Sequence, residues 1–143
     1  MLRELFPSGR FSAPASAAQI ADVEEQLGIK LPLQLKELYV ECDGFREDRG
    51  NAKYLLSLTE EDQIGSLLGM TRFWWSEWKD RLPKLGDYVF FGSSSGDESW
   101  GINWKREGEI IAYHHDMEND VEILGDTIVE MYLADYAKYD DAG

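Results

Sequence analysis

The stretch YVFFGSSSGDESWGINWKREGEIIAYHHD, Tyr88 to Asp116, limits the possible folds more than any other part of the chain. Tyr88 to Phe91 is a nearly continuous apolar strand. Trp100, Ile102 and Trp104 then alternate with Gly101, Asn103 and Lys105 at the two-residue period of a half-covered strand. Arg106, Glu107 and Gly108 supply a turn, and Glu109 to His115 returns. Connections this short join antiparallel neighbours. The expected fold class is therefore α+β, an antiparallel β-sheet flanked by helices.

The flanking segments carry helical signals. Ser16 to Gln19 fits a capping box, in which the Ser hydroxyl and the Gln side chain satisfy amides of the first turn. A helix follows to Leu27, with Ile20, Val23 and Leu27 on one stripe and Gly28 as a left-handed stop. Pro32 opens a second helix from about Leu33 to Cys42, with Gly44 just past its end. Leu35, Leu38, Tyr39 and Cys42 form its buried stripe, and Leu33 and Val40 on the other side predict cover on two faces. Lys53 to Leu58 reads as a short strand and Thr59 to Leu68 as a helix, with Glu60, Glu61 and Asp62 in its first turn, where the dipole favours anions. After Gly69, Trp74, Trp75, Trp78 and Leu82 share a helical face and Phe73 points to the polar side. A last helix is expected from a cap at Asp126 to about Tyr139, with Ile128, Val129, Tyr132, Leu133 and Tyr136 as its apolar side. Residues 1–15 read as an irregular arm pinned by Leu5, Phe6 and Phe11.

A length of 143 residues suits one domain, 1–143, with that arm at its start. The dispersed apolar residues contain no run of about 18, so no membrane span is expected, and the first residues lack a secretory apolar stretch. A single cysteine, Cys42, agrees with a reducing compartment, and the expected location is cytoplasmic. Nothing basic adjoins Cys42, so it reads as a core residue and not as a reactive thiol. Charge is more selective. With 28 Asp and Glu against 14 Lys and Arg, the net is −14. Such a field repels phosphate backbones and anionic membranes and steers basic partners, so neither nucleic acid nor membrane is expected to bind directly. Simple solubility accounts for the same charge.

Three motifs invite catalytic readings. Gly92 to Gly96 matches G-x-S-x-G after a strand, but a nucleophile elbow must turn into a helix, and here another strand follows. Ser94 therefore reads as part of a loop. His114 and His115 are adjacent on a strand, so their rings point to opposite faces and share no ion. Asp116, Glu118 and Asp120 resemble the first half of a calcium loop, but Val121 stands at the glycine position and Thr127 at the closing glutamate. That stretch reads as a solvated acidic turn. No catalytic residue, metal or cofactor is expected.

The sequence resembles the SMI1/KNR4 (SUKH) superfamily. An amphipathic helix, an L-P step, a second helix and an acid followed by glycine are represented by Ile20, Val23, Glu24, Leu27, Leu31, Pro32, Leu35, Leu38, Asp43 and Gly44. The similarity resumes at Phe91, Gly92, Asp97, Trp100, Gly101, Ile102, Asn103, Tyr113, His115 and Asp116, and in the closing helix after Ile123. The resemblance implies the α+β fold above and no catalytic residues. Many bacterial members are immunity proteins that neutralise a toxin, often a nuclease, and eukaryotic members are regulatory interaction modules. Both are binding functions. The expected activity is thus non-enzymatic: binding of a cognate toxin domain with a basic surface, with a regulatory or scaffold module as the alternative. Candidate contact residues are Asp97, Glu98 and Trp100 on one loop, Asp116, Glu118 and Asp120 on one turn, and the exposed aromatic Phe73, because acidic groups steer and aromatics anchor.

Overall fold

Among the described residues, seven strands lie side by side in chain order, every neighbouring pair antiparallel. They are β1 (Arg10–Phe11), β2 (Phe45–Arg46), β3 (Tyr54–Leu55), β4 (Tyr88–Ser93), β5 (Ser99–Asn103), β6 (Ile110–Tyr113) and β7 (Glu122–Gly125). Around them are α1 (Leu2–Leu5), α2 (Ala17–Leu27), α3 (Leu33–Glu41), α4 (Leu67–Trp78), a 3₁₀ turn at Pro83–Asp87 and α5 (Ile128–Asp140). The structure, a computed structural model, describes residues 2–6, 9–46, 54–60, 65–78, 82–93, 98–106, 108–114 and 121–140. Among these, no helix is long and apolar enough to cross a membrane. The fold is α+β, as the strand pattern predicts.

Both faces of the central strands are covered. Val89, Phe91, Trp100, Ile102, Ile110 and Ala112 share a core with Val23, Leu35, Tyr39, Ile128 and Tyr132 of α2, α3 and α5. Tyr88, Phe90, Ile111 and Tyr113 face the other way, onto Trp74 of α4 and onto Leu82 and Leu85. β5 was expected to be half covered, yet all five of its residues are buried. The reason is the size of its second face. A Cβ on Gly101 would stand 3.1 Å from the Phe90 ring, so glycine lets that ring cross the strand. Asn103 is buried but not idle: its Oδ1 accepts from the backbone amides of Lys105 (2.8 Å) and Arg106 (2.7 Å) and shapes the turn into β6.

α2 begins and ends as predicted. Ser16 and Gln19 form the capping box, and Gly28 sits at φ 72°. Glu24, on its buried side, accepts from the Leu31 amide at 2.8 Å and meets Lys36 Nζ at 3.2 Å, fixing the step into α3. α3 buries Leu35, Leu38 and Tyr39, followed by Cys42, but on one face alone: Leu33 and Val40 are exposed, against the expectation of two covered faces. Beyond α3, Asp43 Oδ1 accepts from the Leu58 amide (2.8 Å) and Oδ2 from the Ser57 hydroxyl (3.0 Å). Its own amide donates to Ala13 O, and Ser12 donates to Gly44 O. One Asp-Gly pair therefore ties the N-terminal arm, α3 and the segment after β3 together.

Other differences have local causes. The arm contains α1 and β1 and is held by Phe6, whose ring lies 5.3 Å from Phe45 and 4.9 Å from Tyr136, and by Phe11, 4.9 Å from Phe45; Leu5 is exposed. Thr59 and Glu60 are not helical, and Glu61 and Asp62 lie outside the described residues. α4 instead starts at Leu67 and runs through Gly69, whose amide donates to Ser66 Oγ while Leu67 and Leu68 donate to the carbonyls of Ser57 and Leu58. The Trp78 side chain lies outside the described residues. α5 starts at Ile128, not at an Asp126 cap, because Gln34 reaches across from α3: Oε1 accepts from the Ile128 amide (2.8 Å) and Nε2 donates to Asp126 O (2.9 Å). Leu133, expected on the apolar side of α5, is exposed.

α4 also completes the sheet. β3 pairs with β4 only at Gly92 and Ser93. Just past β3 the Leu56 amide donates to Phe91 O (2.8 Å), and before that the edge is served by side chains: Thr71 Oγ1 accepts from the Phe90 amide (2.9 Å), and Trp75 Nε1 donates to Tyr88 O (2.9 Å).

Two buried hydroxyls hold the chain around β3. Tyr39 donates to Leu56 O (2.5 Å) and Tyr132 to Tyr54 O (2.9 Å). Burial pushes both phenols well above their ordinary value of 10.0, and nearby Asp43 adds to the effect at Tyr39. Tyr88, bonded to Glu109, is raised by burial and then by that carboxylate. The unfolded chain ionises these phenols first, so their contribution to stability is intact below about pH 10 and declines as pH rises above it. Urea midpoints measured from pH 8 to 11 are expected to fall above pH 10, with these tyrosines absent from the 295 nm titration until unfolding. Asp43→Ala leaves the Leu58 amide without its acceptor and is expected to cost about 1–3 kcal/mol by urea denaturation.

Candidate partner-binding face

One end of the central sheet gathers the candidate residues that lie within the described structure. Ser93 pairs with Ser99 and Ser99 with Tyr113, so the connections from β4 to β5 and from β6 to β7 leave from this end. Asp97, Asp116, Glu118 and Asp120 fall in those connections and lie outside the described residues, as do Ser94 and His115. Glu98, Trp100 and Phe73 are described.

Phe73 is 46 % exposed, and its ring stands edge-on to Trp74 at 5.1 Å. Trp74 is buried: Nε1 donates to Ser99 Oγ at 3.3 Å and the ring meets Tyr113 at 5.1 Å, nearly perpendicular. A buried tryptophan thus seats the exposed phenylalanine on the strand ends. Its backbone is held by a helix and its ring by a rigid neighbour.

The opposite face of the sheet carries the other pair. Trp100 is 4 % exposed and packs on Tyr132 with ring centroids 5.4 Å apart. Its ring belongs to the core. Its indole N–H reaches outward and donates to Glu98 Oε1 at 3.1 Å, which fixes the position of a half-buried carboxylate beside the loop. Trp100 acts on the rim through Glu98, and Glu98 and Phe73 stand at the same end of the sheet on opposite faces.

The described residues line several concavities that escaped the sequence reading, among them the following two. One, of about 270 Å³, lies across β1 to β3 and includes Arg10, Arg46, Tyr54, Asp43 and Glu60. Arg10 and Arg46 are directly opposed across the strands, and the Arg46 guanidinium lies 4.8 Å from the centre of the Tyr54 ring. The residues of this site are far apart in sequence, and β1 and β2 are two residues each, so no periodicity marks them. The other lies between α3 and α5. Its walls are Gln34, Leu38, Ile128 and Val129 with Glu37, Glu41 and Glu130, from two segments some ninety residues apart, so no local pattern marks it. Among the described residues, no group of three or more His, Cys, Asp or Glu side chains is placed to hold a metal ion.

An antiparallel sheet in chain order, with helices on both faces, defines an α+β domain. The SMI1/KNR4 family (SUKH-1) matches residues 14–133, and the chain belongs to that family. No curated protein matches the chain.

The residues through which the sequence resembles the family do structural work: Glu24 and Asp43 bind backbone amides, Gly101 admits Phe90 and Asn103 forms a turn. The rim residues are separable from that scaffold. Trp100→Ala is expected to destabilise the protein by about 3–5 kcal/mol, as for a buried aromatic, whereas Phe73→Ala and Glu98→Gln should each stay within about 1 kcal/mol in urea melts.

Proposed function

We propose that this protein is an immunity protein, a non-catalytic binder that neutralises a cognate toxin domain with a basic surface, most readily a nuclease. The observation that carries this reading is membership of the SMI1/KNR4 family in a chain of net charge −14. A domain that acts on nucleic acid needs a cationic surface, and an acidic binder can cover that surface and mimic the phosphates it recognises. Charge speeds the encounter, and desolvated aromatic or aliphatic contacts slow dissociation. Asp97, Glu98, Asp116, Glu118, Asp120 and Phe73 belong to the proposed contact surface, with Trp100 as the support for Glu98. Neutralisation then needs no chemistry by the binder. It is steric and electrostatic occlusion of the toxin's catalytic surface.

The test is co-expression with a toxin domain encoded next to this gene. Rescue of growth and a stable complex are expected, and a toxin that kills equally well in the presence of the protein refutes the reading. In stopped-flow mixing, the association rate should fall by about tenfold or more between 50 mM and 500 mM salt, while dissociation changes little. A rate independent of salt removes charge steering from the mechanism.

A further inference from the structure

The N-terminal arm fills an aromatic slot whose walls come from the rest of the protein. Phe45, Tyr132 and Tyr136 brace one another, their ring centroids 5.9, 5.7 and 6.3 Å apart, and Tyr132 is anchored by its bond to Tyr54 O. Against this surface the arm lays Phe6, 5.3 Å from Phe45 and 4.9 Å from Tyr136, and Phe11, 4.9 Å from Phe45. Gly9 lets the backbone pass over the Phe45 ring, since a Cβ there would stand 2.5 Å from Cε2.

The arm's attachment is slight. Among the described residues, β1 pairs with β2 at Arg10↔Arg46 and Phe11↔Phe45 alone. The cavity of about 270 Å³ lies in the seam, with Arg10, Phe11 and Ser12 on one side and β2 and β3 on the other, so the seam is not close-packed along its length. From Ser12 onward the chain is tied to the body instead. Ser12 N donates to Gly44 O, Asp43 N to Ala13 O and Ala15 N to Tyr39 O, so a hinge between Phe11 and Ser12 frees residues 2–11 and leaves α2 in place.

The arm is also separate from the family's domain. The family match begins at residue 14, so the arm lies outside it, while Phe45 and Tyr132 of the slot lie within it. Its chemistry is that of a basic ligand. Residues 1–11 carry Arg3 and Arg10 against Glu4, a net of +1 in a chain of −14, which leaves −15 on residues 12–143. When the arm lifts, the outer edge of β2 and the aromatic slot open together. Strand addition uses both, the edge for affinity and the slot for specificity.

We propose that the slot is a docking site for an extended, aromatic segment of the basic protein partner, and that the arm is its built-in competitor. The partner's strand pairs with β2 in place of β1, and its aromatic ring takes the position of Phe6 between Phe45 and Tyr136. The seated arm lowers the partner's apparent affinity by the fraction of molecules in which it closes the slot. This adds a second contact to the rim, and it rests on the reading of the protein as a binder of a basic domain.

The probe is a fluorescent peptide with the sequence of residues 1–12, titrated into the full chain and into the full-length variants Phe6→Ala and Gly9→Ala. The first removes the arm's anchor, the second crowds Phe45, and both leave the slot residues unchanged. Saturable binding is expected with the variants and should be weaker by about tenfold or more with the parent, whose own arm competes. A peptide with alanine for both phenylalanines is expected not to bind. Equal affinity for parent and variants, or no binding to a variant that keeps the parent's cooperative urea transition, overturns the proposal. Loss of that transition in both variants overturns it too, because the arm is then part of the core. The neighbouring toxin domain separates the two readings. Tighter binding to the variants than to the parent supports the slot, whereas equal binding removes the slot from the partner's footprint and leaves the immunity reading standing. If the peptide fills the slot but no toxin complex forms with any of the three proteins, the immunity reading fails and the slot remains a site for aromatic segments.

Discussion

The backbone edge of β4 is the constraint on which the rest of the structure depends. β4 has a full partner in β5 on one side, but on the other side β3 reaches only its last two residues. A buried N–H or C=O without a partner is costly, and α4 removes the problem by presenting Thr71 Oγ1 to Phe90 N and Trp75 Nε1 to Tyr88 O. A helix held by those two bonds must lie against the sheet, and its Trp74 then covers Phe90 and Tyr113. The opposite face is left for α2, α3 and α5. The layer order of the molecule follows from where β4 finds its missing hydrogen bonds.

Much of this was legible because it is local. The capping box at Ser16 and the stop at Gly28 are complete within α2 and its flanks, and the strands β4, β5 and β6 are long enough to show their pattern. What was missed is either too short for a period or decided by distant residues. β1 and β2 have two residues each. The start of α5 depends on Gln34, 94 residues before Ile128, and nothing near Asp126 announces it. Gly69 falls between two helices in the sequence reading, yet it occupies a first turn whose amides are satisfied by Ser66, Ser57 and Leu58. Small residues on β5 looked like a solvent face, although Gly101 is small because Phe90 lies over it.

The candidate surface was less legible than the fold for a related reason. Residues that build the scaffold can announce themselves by type and spacing, and Glu24 and Asp43, in the helical pair, do so. Residues that contact a partner obey the partner's shape, which the chain does not encode. Trp100 illustrates the ambiguity: an aromatic beside an acidic loop fits an interface anchor by composition, but its ring fills the space over Tyr132 and only its N–H serves the rim. Leu33 and Val40 show the converse, apolar residues that periodicity assigns to a core and the structure leaves in water.

The chain-order arrangement of the sheet makes its cohesion uneven. β4 to β7 are joined by short connections, so each pairing closes a small loop and loses little chain entropy. β1 meets β2 only after the chain has travelled through α2 and α3, and that pairing spans just two residues on each strand. Opening should therefore be graded along the sheet, with the first strand detaching at a small fraction of the cost of disrupting the β4 to β6 ladder. The first strand can open while the ends of β5 and β6, with Trp74 of α4 packed on them, keep the geometry that seats Phe73 and Glu98.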